Sequence, residues 1–454
     1  MSDLRRAAGI AAALALFAAA LGATAARSVP AAPDASYTEA LTALHDAGRD
    51  TVGHADDPGR LDALGGALLK LARFADADRI FRRVLATHPD DGAALAGAGH
   101  VALCRNDAAA AESLLARAGE AEGAARDLYL ARLRRHAYGA AAPLAEAQDE
   151  GGRRAMLERL QDHWPPAGPI AGRDGAIAFV RAWPVPIVRV TLNGQQVLMA
   201  VDPGAPELLI DPGAAHRYAI ENVPGERLVA WCGSRAAAGN GFVQKLTLGG
   251  FTLTNVPAAV TPLHKYSLLV NPEGADIAGV IGLSVLEQFG VTLDFRRQVL
   301  ELRSERGTPA TMSGGARVPF ERWGDDMLVV YGSIAGARRM TFWVGTGLPD
   351  AGLGAPAETF DEVGAKPGHF ANLMRSVGSA LQGTAWSQVV VPSLTIGPVV
   401  SGRLDSWSGS MGSAELWRNG ARLDGMLGPK FFARRRVAFD WIRHDMVFAT
   451  QDFR

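Results

Sequence analysis

The sequence predicts a multidomain protein, an N-terminal all-α helical repeat followed by an all-β two-lobed region. Three observations predict it. From about Ser36 to Asp149 the chain is rich in Ala, Leu and Arg, has almost no strand-forming runs, and returns small and apolar residues at a spacing of 34. Beyond about residue 180 the apolar periodicity changes to two. Within that second stretch one order of strand, turn, strand and glycine loop occurs twice, at offsets of 143 and 146 residues.

The first residues carry a different signal. Arg5 and Arg6 precede an apolar run from Ala7 to Leu21 that ends in Ala23-Thr24-Ala25, which is the charged, apolar and small-residue order of a cleaved signal peptide over 1–25. A membrane span needs about 20 apolar residues, and this run is shorter. The expected location is therefore outside the cytoplasm: the periplasm if the source is a Gram-negative bacterium, and otherwise secretion, with no stable membrane span after cleavage.

Helical repeats are expected over 36–150. Leu64, Gly65, Leu68, Ala77, Phe81 and Pro89 form one unit, and a shift of 34 gives Ala98, Gly99, Ala102, Ala111 and Leu115. Small residues at fixed places let two antiparallel helices approach closely. This spacing resembles that of tetratricopeptide repeats, which implies a surface on which a protein partner docks. Residues 151–180, with Trp164-Pro165-Pro166 and a glycine-rich stretch from Gly168 to Gly175, read as a linker.

The first β lobe is expected over 181–305. Ile187 to Leu192 alternates, Asn193-Gly194 is a hairpin turn, and Val197 to Val201 returns directly into Asp202-Pro203-Gly204. Leu246 to Gly250 makes another hairpin, and Gly279-Val280-Ile281-Gly282 leads through a short helix into Val291-Thr292-Leu293-Asp294. The second lobe, 306–454, repeats the order: Leu328 to Ile334, a turn at Ala335-Gly336, Met340 to Val344, then Gly345-Thr346-Gly347, with Gly425 to Gly428 and Asp440 following.

These features together resemble the retropepsin-like and pepsin-like aspartic proteases, whose lobes each bring a strand into an Asp-Thr-Gly loop beside a strand ending in glycine. The resemblance spans roughly residues 180–450. It implies a cleft between lobes that takes an extended peptide, and a catalytic role for Asp202. Such enzymes need two carboxylates sharing one proton, one serving as acid and the other as base. This chain departs from the pattern twice: Pro203 stands in the threonine position of the first loop, and Gly345 in the aspartate position of the second. The dyad is incomplete, and a lone Asp202 is expected to be ionised at neutral pH unless it is strongly desolvated.

The function read from the resemblance is that of a catalytically impaired peptide- or protein-binding module, its ligand an extended peptide or envelope protein segment. Asp202 would lie in the floor of the cleft, with Gly204, Thr346, Gly347, Trp231, Gly282 and Gly428 around it. The alternative is an active aspartic endopeptidase that completes the pair with Asp350, with Asp424 or with a second copy of the chain. Trp231, Cys232 and the stretch from Ala236 to Gly241 fall where the family's flap lies.

Other chemistry finds no support. A net charge of −1 with no basic stripe gives no reason to expect nucleic acid. Two cysteines, Cys104 and Cys232, make no metal cluster, and His216, His264 and His444 have no ligand spacing, so no metal or cofactor is expected. Ser234, Ser284 and Ser333 lack a nucleophile-elbow context.

Overall fold

The computed structural model describes residues 35–54, 56–145, 151–161, 164, 170, 172–272, 274–324, 327–365, 386–417 and 419–450. The signal peptide expected over 1–25 lies outside the described residues. Among the described residues seven helices come first: α1 (Ala35–Asp50), α2 (Pro58–Lys70), α3 (Phe74–Thr87), α4 (Gly92–Cys104), α5 (Ala108–Leu115), α6 (Ala124–Arg134) and α7 (Tyr138–Ala141). None of the described helices is long and apolar enough to cross a membrane.

The 34-residue spacing has a physical basis in caps, turns and crossings. Asp57 and Asp91 each cap a helix by accepting from the backbone three residues on, Arg60 N and Ala94 N. Ala72 and Asn106 each take a left-handed backbone to turn the chain. A methyl on Gly65 would come within 2.5 Å of the Phe81 ring, and one on Gly99 equally close to Leu115, so each glycine is the space its partner occupies.

One side of this helical layer is already occupied by the chain's own β region. Phe74 sets its ring edge-on to Trp323 at 5.4 Å, Arg422 N donates to Lys70 O at 2.9 Å, and Asn106 Nδ2 donates to Phe320 O at 3.1 Å. Trp417 Nε1 reaches Ser36 Oγ on α1 at 2.8 Å.

The stretch expected as a linker over 151–180 is structured at both ends, with a tight 3-10 turn at Gly151–Arg153, α8 (Arg154–Leu160) and a strand at Gly175–Arg181. Met156, Leu157 and Leu160 are buried, a short apolar face that needs a partner surface. Within the glycine-rich stretch a Cβ on Gly172 would strike the Phe251 ring and Gly250 O, and the chain just before α8 is held as closely. A Cβ on Gly152 would overlap the backbone of Glu226, and one on Gly225, which has φ +110°, that of Gly152. Arg159 on α8 pairs with Glu221 and lies over the Phe242 ring at 4.5 Å. The end of the helical region thereby grips a long hairpin formed by Glu221–Trp231 and Ser234–Leu248.

Among the described residues the strands form a thirteen-stranded and a nine-stranded sheet. In the first, Gln195–Val201 pairs antiparallel with Ile187–Leu192 across the Asn193-Gly194 turn and parallel with Ile277–Ile281. In the second, Met340–Trp343 pairs antiparallel with Met327–Ile334 and parallel with Gly425–Leu427. Each parallel pair leads at its C-terminal end into a buried loop, 202–204 in one case and 345–347 in the other. The two stretches meet along Gly290–Asp294 and Arg436–Asp440, antiparallel with Leu293 opposite Val437. The residues offset by 146 do the same work: Asp294 Oδ1 accepts from the backbone of Arg296 and Arg297, and Asp440 Oδ1 from that of Ile442 and Arg443.

Candidate functional site around Asp202

Asp202 stands at the end of its strand and is only 2% exposed. Its Oδ1 accepts from Gly204 N at 2.8 Å and from Thr346 N at 2.7 Å, so one donor comes from its own loop and one from the loop 345–347. Thr346 Oγ1 donates back to Val201 O at 2.6 Å, which ties the loops at a fully buried residue. Pro203 has no backbone N–H or hydroxyl with which to return that bond.

Gly345 faces Asp202 directly. A Cβ at position 345 would lie 3.3 Å from Asp202 Oδ1, so the place where a second carboxylate would share a proton holds no side chain. At Gly347 a Cβ would overlap Asp202 Oδ2, and glycine is required there by proximity alone.

The tip of the long hairpin closes the site. Trp231 Nε1 donates to Asp202 Oδ2 at 2.7 Å, and the Trp231 ring meets Tyr266 edge-on at 4.6 Å. Tyr266 in turn donates from its hydroxyl to Gly347 O at 3.0 Å. At the turn, Gly233 has φ +74° and lies against the backbone of Ser410 and Met411, so the tip rests on the nine-stranded side of the molecule. Beneath the hairpin Arg227 Nη2 pairs with Glu207 Oε2 at 2.6 Å, and Arg227 Nε donates to Asn240 Oδ1 at 3.0 Å. Asn240 Nδ2 passes the connection on to Gly152 O at 2.8 Å.

Four residues expected around Asp202 are thus brought together: Gly204, Thr346, Gly347 and Trp231. Gly282 and Gly428 are not at the carboxylate. A side chain on Gly282 would strike the backbone of Glu207 and Ala205, and one on Gly428 that of Ala351, so both buttress the loops from behind. Neither alternative carboxylate reaches the site. Asp350 is half exposed, has a left-handed backbone and pairs with Lys430 at 3.0 Å. Asp424 hydrogen-bonds with Thr341, four residues before Gly345 and roughly 13 Å away along an extended strand. It is buried between Arg338 and Arg422, each at 2.6 Å. Adjacency to Gly425 in sequence misleads because the parallel pairing puts Asp424 at the far end of the strand.

No motif in the sequence announces the network of Glu207, Arg227, Asn240 and Tyr266. One signal for it exists: Arg227 takes an inward position in its strand while Leu228 faces solvent, which inverts the apolar alternation. Cys104 and Cys232 are both buried thiols and are not joined in a disulfide. Among the described residues no group of His, Cys, Asp and Glu is arranged to hold a metal.

Burial pushes the Asp202 carboxyl above its ordinary range, and this outweighs the four donors that favour the charged form, Thr346 N, Trp231 Nε1, Gly204 N and Gly347 N. Burial therefore opposes the ionisation of this lone aspartate. A carboxyl whose folded pKa lies above its unfolded value of about 3.9 contributes stability below that pH and loses it as pH rises through the folded value. Relative to Asp202→Asn, the wild type is expected to lose stability as pH climbs above about 4, with a slope approaching about 1.4 kcal/mol per pH unit until the folded value is passed. Denaturant unfolding of both proteins between about pH 3 and about pH 8 checks this, and a pH-independent difference would contradict it.

Comparison with solved structures gives the aspartic proteinase from Irpex lacteus at 12% identity and TM-score 0.39, over 61% of this chain and 97% of that one. Basic 7S globulin from soybean gives 11% and 0.39, over 63% of this chain and 96% of the other. No curated protein matches the chain. Residues 188–285, which include Asp202, Trp231 and Gly282 and end before Gly345, match the family model described as aspartyl protease.

Proposed function

We propose that the chain is an exported, catalytically impaired aspartic-protease-like protein of two lobes that binds an extended peptide or envelope protein segment. Its tetratricopeptide-like helices offer a docking surface to a protein partner. The observation that carries the impaired reading is Gly345 opposite Asp202. Peptide hydrolysis by this chemistry needs one carboxyl to polarise the carbonyl while the other takes a proton from water. A single carboxyl cannot hold both roles at once.

The surroundings of Asp202 support binding over turnover. Both of its oxygens already accept from protein donors, Trp231 among them. The long hairpin supplies strand edges along which an extended segment adds main-chain hydrogen bonds. Export rests on the arginine pair, apolar run and small-residue site of residues 1–25, with the periplasm or the medium as the compartment.

The test is a peptide-library cleavage assay at acid and neutral pH, run beside a binding assay on the same library, with Asp202→Asn as control. Binding without turnover is expected. Turnover that disappears in Asp202→Asn would overturn the impaired reading in favour of an active endopeptidase, and a library in which nothing binds would remove the peptide ligand.

A further inference from the structure

A cavity of about 530 Å³ lies where the helical layer meets the nine-stranded sheet, well within the size of small-ligand sites. Leu41 and Leu44 of α1, with Leu71 and Phe74, give it an apolar wall. Five arginines also line it against three carboxylates. Those carboxylates are already engaged. Asp76 is held by Arg73 and Arg79, and Asp424 by Arg338 and Arg422. Glu321 accepts from Tyr331 Oη at 2.6 Å and Trp323 Nε1 at 2.9 Å, and its burial lifts its pKa.

Arg339 and Arg105 are the two arginines left over. The Arg339 guanidinium lies over the Tyr331 ring at 3.5 Å and donates to Ala72 O at 3.3 Å, with no carboxylate within 4.0 Å among the described residues. Among the described residues the ion pair of Arg105 is with Asp78, at 4.0 Å. One comes from the end of α4 and the other from the turn before Met340–Trp343, yet both act electrostatically on Glu321, which places them around one region of the cavity.

We propose that this cavity binds a carboxylate carried on an apolar body, with the carboxylate on Arg339 and Arg105 and the apolar part against Leu41, Leu44 and Phe74. A guanidinium already stacked on an aromatic ring presents its N–H groups in the planar fork that suits a carboxylate. Glu321, Asp76 and Asp424 nearby make the site hostile to a dianion such as phosphate, and a single negative charge matches what these two arginines can offset. The terminal carboxylate of a peptide and a free aliphatic acid share this chemistry. The site is separate from Asp202, so its occupancy does not depend on the peptide-binding reading given above.

Calorimetric titration of the whole chain with three probes tests it: a tetrapeptide ending in leucine with a free carboxylate, the same peptide as its terminal amide, and octanoate. At least one free carboxylate is expected to bind, the amide about tenfold or more weakly than the acid, which is the loss of one charge-assisted pair. Binding by the peptide alone identifies a chain terminus as the source, and binding by octanoate a small acid. Arg339→Gln is expected to weaken binding about tenfold while Arg339→Lys keeps part of it. Equal binding of acid and amide, no binding of either carboxylate at millimolar concentration, or an Arg339→Gln variant with native circular dichroism and undiminished affinity would overturn the proposal.

Discussion

Replacing Arg227 by methionine is expected to destabilise the protein by about 3–5 kcal/mol. Its guanidinium and the Glu207 carboxylate are nearly sealed from water, with side-chain exposures of 4% and 10%. Methionine fills similar volume but leaves Glu207 as a buried charge with its ion-pair partner removed, and Asn240 Oδ1 loses the donor at Arg227 Nε. The cost is local to the site, since Glu207 lies in the loop that follows Asp202 and Arg227 in the hairpin whose tip carries Trp231. Guanidinium unfolding measures it. The double variant Arg227→Met/Glu207→Leu removes both charges and is expected to recover most of the loss, because an apolar pair of matching volume needs no desolvation of ions. A single variant costing under about 1 kcal/mol would mean that the pair behaves like an exposed one.

Phe81→Ala is expected to cost about 3–5 kcal/mol in the helical region. The Phe81 ring fills the space above two glycines, within 2.5 Å of where a Gly65 methyl would stand and closer still for Gly97. Truncation opens a cavity bounded by helix backbone on two sides, and backbone held in three packed helices cannot collapse to fill it. Denaturation followed by far-ultraviolet circular dichroism reads the loss. Gly65→Ala in the Phe81→Ala background is expected to regain part of it by refilling the gap, which distinguishes cavity formation from general damage.

The contrast between those two sites explains what was legible in the sequence. Phe81, Gly65, Gly99 and Leu115 stand out because a repeat imposes one spacing on contacts that are close in sequence, and periodicity reports such contacts directly. The alternation into Asp202, the Asn193-Gly194 turn and the matched Asp294 and Asp440 turns are likewise local signals that recur. Position 345 is legible because the loop before Thr346 has a counterpart to compare it with. Trp231 is placed near Asp202 by the family resemblance, which puts a flap there, and not by a local marker. Twenty-nine residues separate them, and alternation describes the hairpin without saying on which surface its tip comes to rest. Asp424 and the residues 151–160 fail in the opposite way, for their local signals are clear but tertiary placement assigns them other work. Gly172 looks like a linker glycine until Phe251 and Gly250 are seen against it.

The pairing of Gly290–Asp294 with Arg436–Asp440 sets an order of events as the chain is made. Ribosomal synthesis delivers the first of these strands long before the second, and a domain generally begins to fold as it emerges. Until the later strand arrives, Gly290–Asp294 presents one edge of backbone N–H and C=O groups without their eventual partner, and an open edge of that kind recruits strands from other chains. The sheet that supports Asp202 is therefore completed late and by contacts of long sequence separation, the slowest kind to form. A protein sent across a membrane before folding would make that closure in the new compartment, with both strands already present.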